Sequence, residues 1–237
     1  PDDVNVRIIE GDDKTRKIQM RLDLGLLQME FSGRPDGKRP HGFESFLEYY
    51  QHQLKEHVQE NGDDSGFSLD SDECAALKSE SIQYYYRYLS LFHLLEYQAV
   101  MRDTQRNLQA YDFIKMYAEN EDDRYMLEKY RPYVIMMHTR SAAHLFLEKN
   151  QPNEAIELIE DALEQIEVFY SELQRPDLVE KCNEIHFLNQ FAEEIRHQWE
   201  DDPVGALRIQ MQEAVKREDY KTAAKIRDEI RRLIEIQ

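Results

Sequence analysis

Three short pieces near the start of the chain alternate apolar and polar residues with a period of two: Val4, Val6 and Ile8, then Ile18, Met20 and Leu22, then Leu27, Met29 and Phe31. Successive side chains of an extended strand point to opposite faces, so this alternation predicts three strands that each carry one apolar face. The intervening letters suit reversals. "GDDK" supplies Gly and Asp for a hairpin turn, Gly25 follows "RLDL" where the chain must reverse or bulge, and "RPDGKRP" ends the sheet with turn chemistry. The result is a small β-meander whose apolar face needs a cover. "GFESFLEYYQHQLKEHVQE" places Phe43, Phe46, Leu47, Tyr50 and Leu54 at helical spacing, which predicts a helix packed on the strands. Residues 1–59 then form the meander with its covering helix, and 60–79, with the polar "NGDDSGFSLDSDE", read as an exposed acidic connection.

From about Glu80 the apolar period becomes helical. "SESIQYYYRYLSLFHLLEYQAVMRD" carries Tyr84, Tyr85, Tyr88, Leu89, Phe92, Leu95 and Val100 on nearly every side, which predicts a central helix buried by neighbours. A tyrosine-rich stretch can stack bases, but without a basic groove beside it core packing is the better reading. Further helical segments follow at close intervals, so 80–200 read as one up-and-down helical domain. The fold class is mainly α, partly repeat-like, with a small N-terminal β-meander and a C-terminal helical hairpin. In "RSAAHLFLEKNQPNEAIELIEDAL", Ala143 and Phe146 precede a polar turn, and Ala155, Ile159 and Ala162 line the next helix. Small residues let two helices approach and large ones fill the groove between them. This spacing resembles a tetratricopeptide repeat, but Glu167 stands where that family usually has Pro, and no second copy at its period is evident.

Composition narrows the chemistry. The chain has only 8 Gly and 7 Pro in 237 residues, which favours helix, and 41% hydrophobic residues suffice for a core without metal or disulfide staples. Cys74 and Cys182 have no metal-type spacing and predict a reducing, cytoplasmic setting. No apolar run reaches the roughly 20 residues of a membrane span, so no membrane partner is expected. Glu194 and His197 form a lone E-x-x-H pair, and a dimetal site needs a second such pair that the chain lacks. Nucleophile-elbow, phosphate-loop, dinucleotide and C-x-x-C signatures are missing as well, so neither enzyme activity nor a cofactor is expected. The net charge of −18 argues against duplex DNA as a partner of the whole body. The charge is unevenly placed: residues 207–237 hold eight basic and six acidic side chains, leaving 22 basic and 42 acidic residues in the rest.

That near-neutral segment, "ALRIQMQEAVKREDYKTAAKIRDEIRRL", contains two helical stripes around a short turn. Leu207, Met211, Ala214 and Val215 form one; Ala223, Ile226, Ile230 and Leu233 form the other, with Ala224 beside it to allow close approach. Asp219 is placed to cap the second helix, and Asp228 and Arg232 are spaced as an i, i+4 pair. Two helices this short bury too little to stand alone and need a third surface. Leu207, Met211, Ala214 and Val215, the turn Glu218-Asp219-Tyr220, and Ala223, Ala224, Ile226, Arg227, Asp228 and Ile230 resemble the UVR motif, the helical hairpin of UvrB, UvrC and bacterial regulators of the McsA and ClpC families. The resemblance implies a bacterial protein that docks through 203–237 with another UVR hairpin, with a copy of itself or with another protein. The implied partner-binding residues are Leu207, Met211, Val215, Tyr220, Ala223, Ala224, Ile226, Arg227 and Ile230. The function expected is that of a non-catalytic adaptor in DNA repair or stress response. The alternative is a nucleic-acid-associated excision-repair factor, with Lys221, Lys225, Arg227, Arg231 and Arg232 touching phosphates.

Overall fold

A computed structural model describes residues 5–200 and 203–236. The chain is mostly helical, with a three-stranded sheet at its start. Strands β1 (Val6–Glu10), β2 (Arg16–Leu22) and β3 (Gly25–Glu30) pair antiparallel in the order β1-β2-β3. Ile8 lies opposite Ile18, and Ile18 opposite Met29, so the predicted alternation sets the register; Val4 lies outside the described residues. Ile18, Met20 and Met29 are buried on one face, while Arg7, Gln19 and Gln28 form a hydrogen-bonded ladder on the other. The first turn contains Lys14 in the left-handed region, beside an Asp13 carboxylate that accepts from the Thr15 amide. Gly25 does not turn the chain: it opens β3 opposite Leu22, and Asp23 and Leu24 make the reversal.

Helix α1 (Phe46–Asn61) is not the cover that the sequence predicts. Its Leu47 and Tyr50 join Leu69, Cys74, Leu77, Ala110, Phe113 and Ile114 in a core built with the next two helices. Helices α2 (Ser71–His93) and α3 (Tyr97–Tyr117) pack on each other, and α2 contacts β2. The reason is polar anchoring. Glu80 of α2 accepts from the Phe46 and Leu47 amides and so holds the start of α1 against α2. Arg87, two turns further along the same face of α2, donates to the carbonyls of Glu30 and Gly33 at the end of the sheet. The connection is shorter than 60–79, because Asp70 and Glu73 form a capping box that starts α2 at Ser71. Nor is it wholly exposed: Leu69 is buried, donates to Tyr117 O and accepts from the Glu119 amide.

Helix α4 (Glu121–Tyr125) precedes α5 (Arg131–Glu148), inside which the chain divides into two compact units, Pro1–Ser141 and Ala142–Gln237. The division falls within the stretch read as one helical domain and joins the C-terminal hairpin to the helices before it. In the second unit, α6 (Pro152–Glu172) and α7 (Asn183–Glu200) pack together, and α7 contacts α8 (Pro203–Lys216), which packs on α9 (Tyr220–Ile236). The core holds Ala155, Ile159, Ala162, Ile166 and Phe169 from α6 with Leu188, Ala192 and Ile195 from α7. Of the five positions that carry the tetratricopeptide resemblance, Ala143, Ala155, Ile159 and Ala162 are buried and Phe146 is half-buried. Among the described residues no helix is long and apolar enough to cross a membrane.

Candidate docking hairpin

Helix α8 ends where Glu218 takes a left-handed backbone with φ 59°, an uncommon conformation for a residue with a Cβ. The amides of Glu218 and Asp219 donate back to the carbonyls of Val215 and Ala214, which closes the last turn of α8. Asp219 then starts α9. One carboxylate oxygen accepts from the Thr222 amide at 3.1 Å and the other from the Thr222 hydroxyl at 2.6 Å. These bonds favour the ionised form and lower the Asp219 pKa, so the cap is charged at neutral pH. A two-helix hairpin with a fixed turn results.

The residues assigned to partner binding do not share one environment. Ala223, Ile226 and Ile230 are buried with Ala214 in the seam of the hairpin, so they hold the two helices together and are not open to a partner. Leu207 and Met211 are half-buried and Val215 is 48% exposed; the three recur every four residues as a ridge on α8. Tyr220 is 66% exposed and Ala224 half-buried. The assigned residues at the surface are therefore the Leu207–Met211–Val215 ridge with Tyr220, Ala224 and Arg227. Lys221, Lys225, Arg231 and Arg232 are all exposed. Arg227 is exposed too, but it lies 3.1 Å from Asp228, which corrects the expected Asp228–Arg232 pair: Asp228 is taken by its immediate neighbour.

In the lone E-x-x-H pair, Glu194 accepts a hydrogen bond from Gln190. Among the described residues, no three His, Cys, Asp or Glu side chains gather as a metal ligand set. Sequence periodicity gave no sign of a buried charge cluster in the first unit. Arg87 binds Asp103 through two hydrogen bonds of 2.6 and 2.8 Å, and Arg102 reaches the same carboxylate at 2.9 Å. Glu80 is paired with Arg106, and Arg34 Nε lies 2.9 Å from it without hydrogen-bond alignment. Burial, with Arg34 close by, pulls the Arg106 pKa down to about 9. These groups fasten the end of the sheet and the start of α1 to α2 and α3.

The result is a capped hairpin with a buried apolar seam and a partly exposed apolar ridge on α8. Residues 202–235, which cover all of it but the last residue, match the family model of the UvrB/uvrC motif. The chain thus carries a UVR motif, a protein-interaction motif, at its C-terminal end. No curated protein and no solved structure matches the chain significantly.

Proposed function

We propose that this protein is a non-catalytic adaptor of the bacterial cytoplasm that engages a protein partner through its UVR hairpin in DNA repair or stress response. The observation that carries the reading is the match of 202–235 to the motif on a hairpin whose ridge of Leu207, Met211 and Val215 stays at least partly at the surface. α7 gives the hairpin one neighbouring surface, and the partner covers the ridge that this packing leaves partly exposed. A nucleic-acid reading has one observation in its favour, the exposure of Lys221, Lys225, Arg231 and Arg232. Against it stands the charge of −18, which repels phosphate from the rest of the chain.

Ala224→Arg in the full chain tests the docking reading. Ala224 is half-buried beside the seam, so a long cationic side chain there obstructs close approach. Helical circular dichroism and the main melting transition should stay as they are, while partner capture or self-association drops by about tenfold or more, as blocking an interface centre does. If the variant binds every partner of the intact protein, the reading fails. DNA retention that falls steeply between low and physiological salt supports the nucleic-acid alternative instead.

A further inference from the structure

The distribution of charge over the second unit is carried by two helices. α6 contains Glu154, Glu157, Glu160, Asp161, Glu164, Glu167 and Glu172 and no Lys or Arg. Its buried residues Ala155, Ile159, Ala162 and Ile166 fix one face to the core. At 100° per residue the opposite pole is Glu157, Asp161, Glu164 and Val168, all exposed. Glu160 is already paired with Arg196, but among the described residues none of the three pole carboxylates is in an ion pair. On α9 the seam of Ala223, Ile226 and Ile230 sets the opposite pole at Lys221, Lys225, Asp228 and Arg232. Asp228 is neutralised by Arg227, so that pole is cationic, and among the described residues Lys221, Lys225 and Arg232 make no ion pair.

We propose that the cationic pole of α9 docks on the acidic pole of α6 in a second copy of this chain, an inference that rests on the hairpin being a docking element. Complementarity supports it at the level of spacing. Lys225 and Arg232 are two helical turns apart, as are Glu157 and Glu164, so both pairs span about 10.5 Å and can be in register along packed helices. It is also supported by the rest of the surface. The chain outside 207–237 has 22 basic and 42 acidic residues, so two bodies repel each other unless the hairpin lies between them. A two-fold arrangement uses each pole twice, α9 of each copy on α6 of the other, and closes without leaving a free pole. Val168 at the end of the acidic pole is exposed and supplies apolar area at the contact.

Sedimentation velocity over a concentration series tests this with two surface variants of the full chain. One carries Lys221→Glu, Lys225→Glu and Arg232→Glu; the other carries Glu157→Lys, Asp161→Lys and Glu164→Lys. The intact protein should self-associate at about 50 mM salt and dissociate toward monomer at about 500 mM, where screening is nearly complete over a few ångströms. Each variant alone should lose at least tenfold in association constant, because each presents like charge to like charge. An equimolar mixture of the two should recover association, because both contacts of the two-fold pair are again complementary. An intact chain that stays monomeric at every salt and concentration overturns the inference, as does a mixture that fails to recover, or retention of DNA by a hairpin that does not self-associate. Self-association lost by Ala224→Arg but unmoved by either charge variant rejects the α6 contact and leaves the docking reading standing. Association unmoved by all three variants rejects both.

Discussion

Asp103→Ala is expected to be among the most destabilising single substitutions in the first unit. The carboxylate is fully buried and binds Arg87 through Nε and Nη2 at 2.6 and 2.8 Å. The Arg87 side chain is 1% exposed, so once Asp103 is gone its charge is buried without a counterion. Breaking a buried pair in this way costs about 3–5 kcal/mol. Arg102 adds little, since its side chain is 42% exposed and regains solvent when released. Arg87 also donates to the carbonyls of Glu30 and Gly33, and those bonds keep the sheet end in place when the carboxylate is lost. The double substitution Arg87→Met, Asp103→Leu removes both charges and takes away the bonds Arg87 donates to the Glu30 and Gly33 carbonyls, of which Gly33 O keeps the Tyr84 hydroxyl, a loss of about 1–3 kcal/mol for each bond at most. Urea unfolding followed by circular dichroism of Arg87→Met, Asp103→Leu and their double should give a coupling energy of at least about 2 kcal/mol between the two sites. A cost below about 1 kcal/mol for Asp103→Ala, or strict additivity in the double, refutes the role given to the pair.

The sheet provides a second test: Met29 is 3% exposed and Leu22 43%, so Met29→Asp should lower the melting temperature sharply while Leu22→Asp changes it little. Equal effects would show that the buried face is misassigned. Ala155 is fully buried in α6, and Ala155→Leu should cost about 1–3 kcal/mol by overpacking, read from the denaturation midpoint; a neutral result removes the tight crossing. His138 is half-buried, with Nδ1 2.9 Å from Thr104 Oγ1, and burial lowers its pKa. Its unfolded state then binds a proton more readily, so stability is full above the ordinary histidine range and falls as pH drops below about 6.5. His138→Gln should flatten that part of the stability profile, and an unchanged slope would mean another group is responsible.

Local signals carried much of the fold. Period-two alternation marked β2 and β3 through Ile18, Met20, Leu27 and Met29, and the turn residues at 218–220 marked the hairpin, including Asp219 as the cap of α9. Both are set by residues close in sequence. What packs on what was less legible. Phe46, Leu47 and Tyr50 predict an amphipathic helix but not its partner, and that choice is made by Glu80, more than thirty residues away, accepting from the helix start. Arg87 reads from sequence as a flanking charge in a tyrosine-rich helix, and only the fold brings Asp103, Glu30 and Gly33 around it. In the hairpin, periodicity groups Ala214 with Val215, yet one is in the seam and the other exposed, because a two-residue contact stripe is narrower than the apolar face that produces it. Arg227 is separated from the other cations for the same short-range reason: Asp228 is adjacent and takes it.

The hairpin from Pro203 onward is the element through which this protein is proposed to engage its partners, and the acidic pole of α6 serves only to receive that hairpin from a second copy. Quantitative affinity capture with the intact chain and with a chain ending before Pro203 tests this role most directly, provided circular dichroism shows that the shortened chain keeps the remaining helices. The account predicts that partners recovered with the intact chain are lost from the shortened one. Recovery of the same partners at the same yield without the hairpin would contradict it.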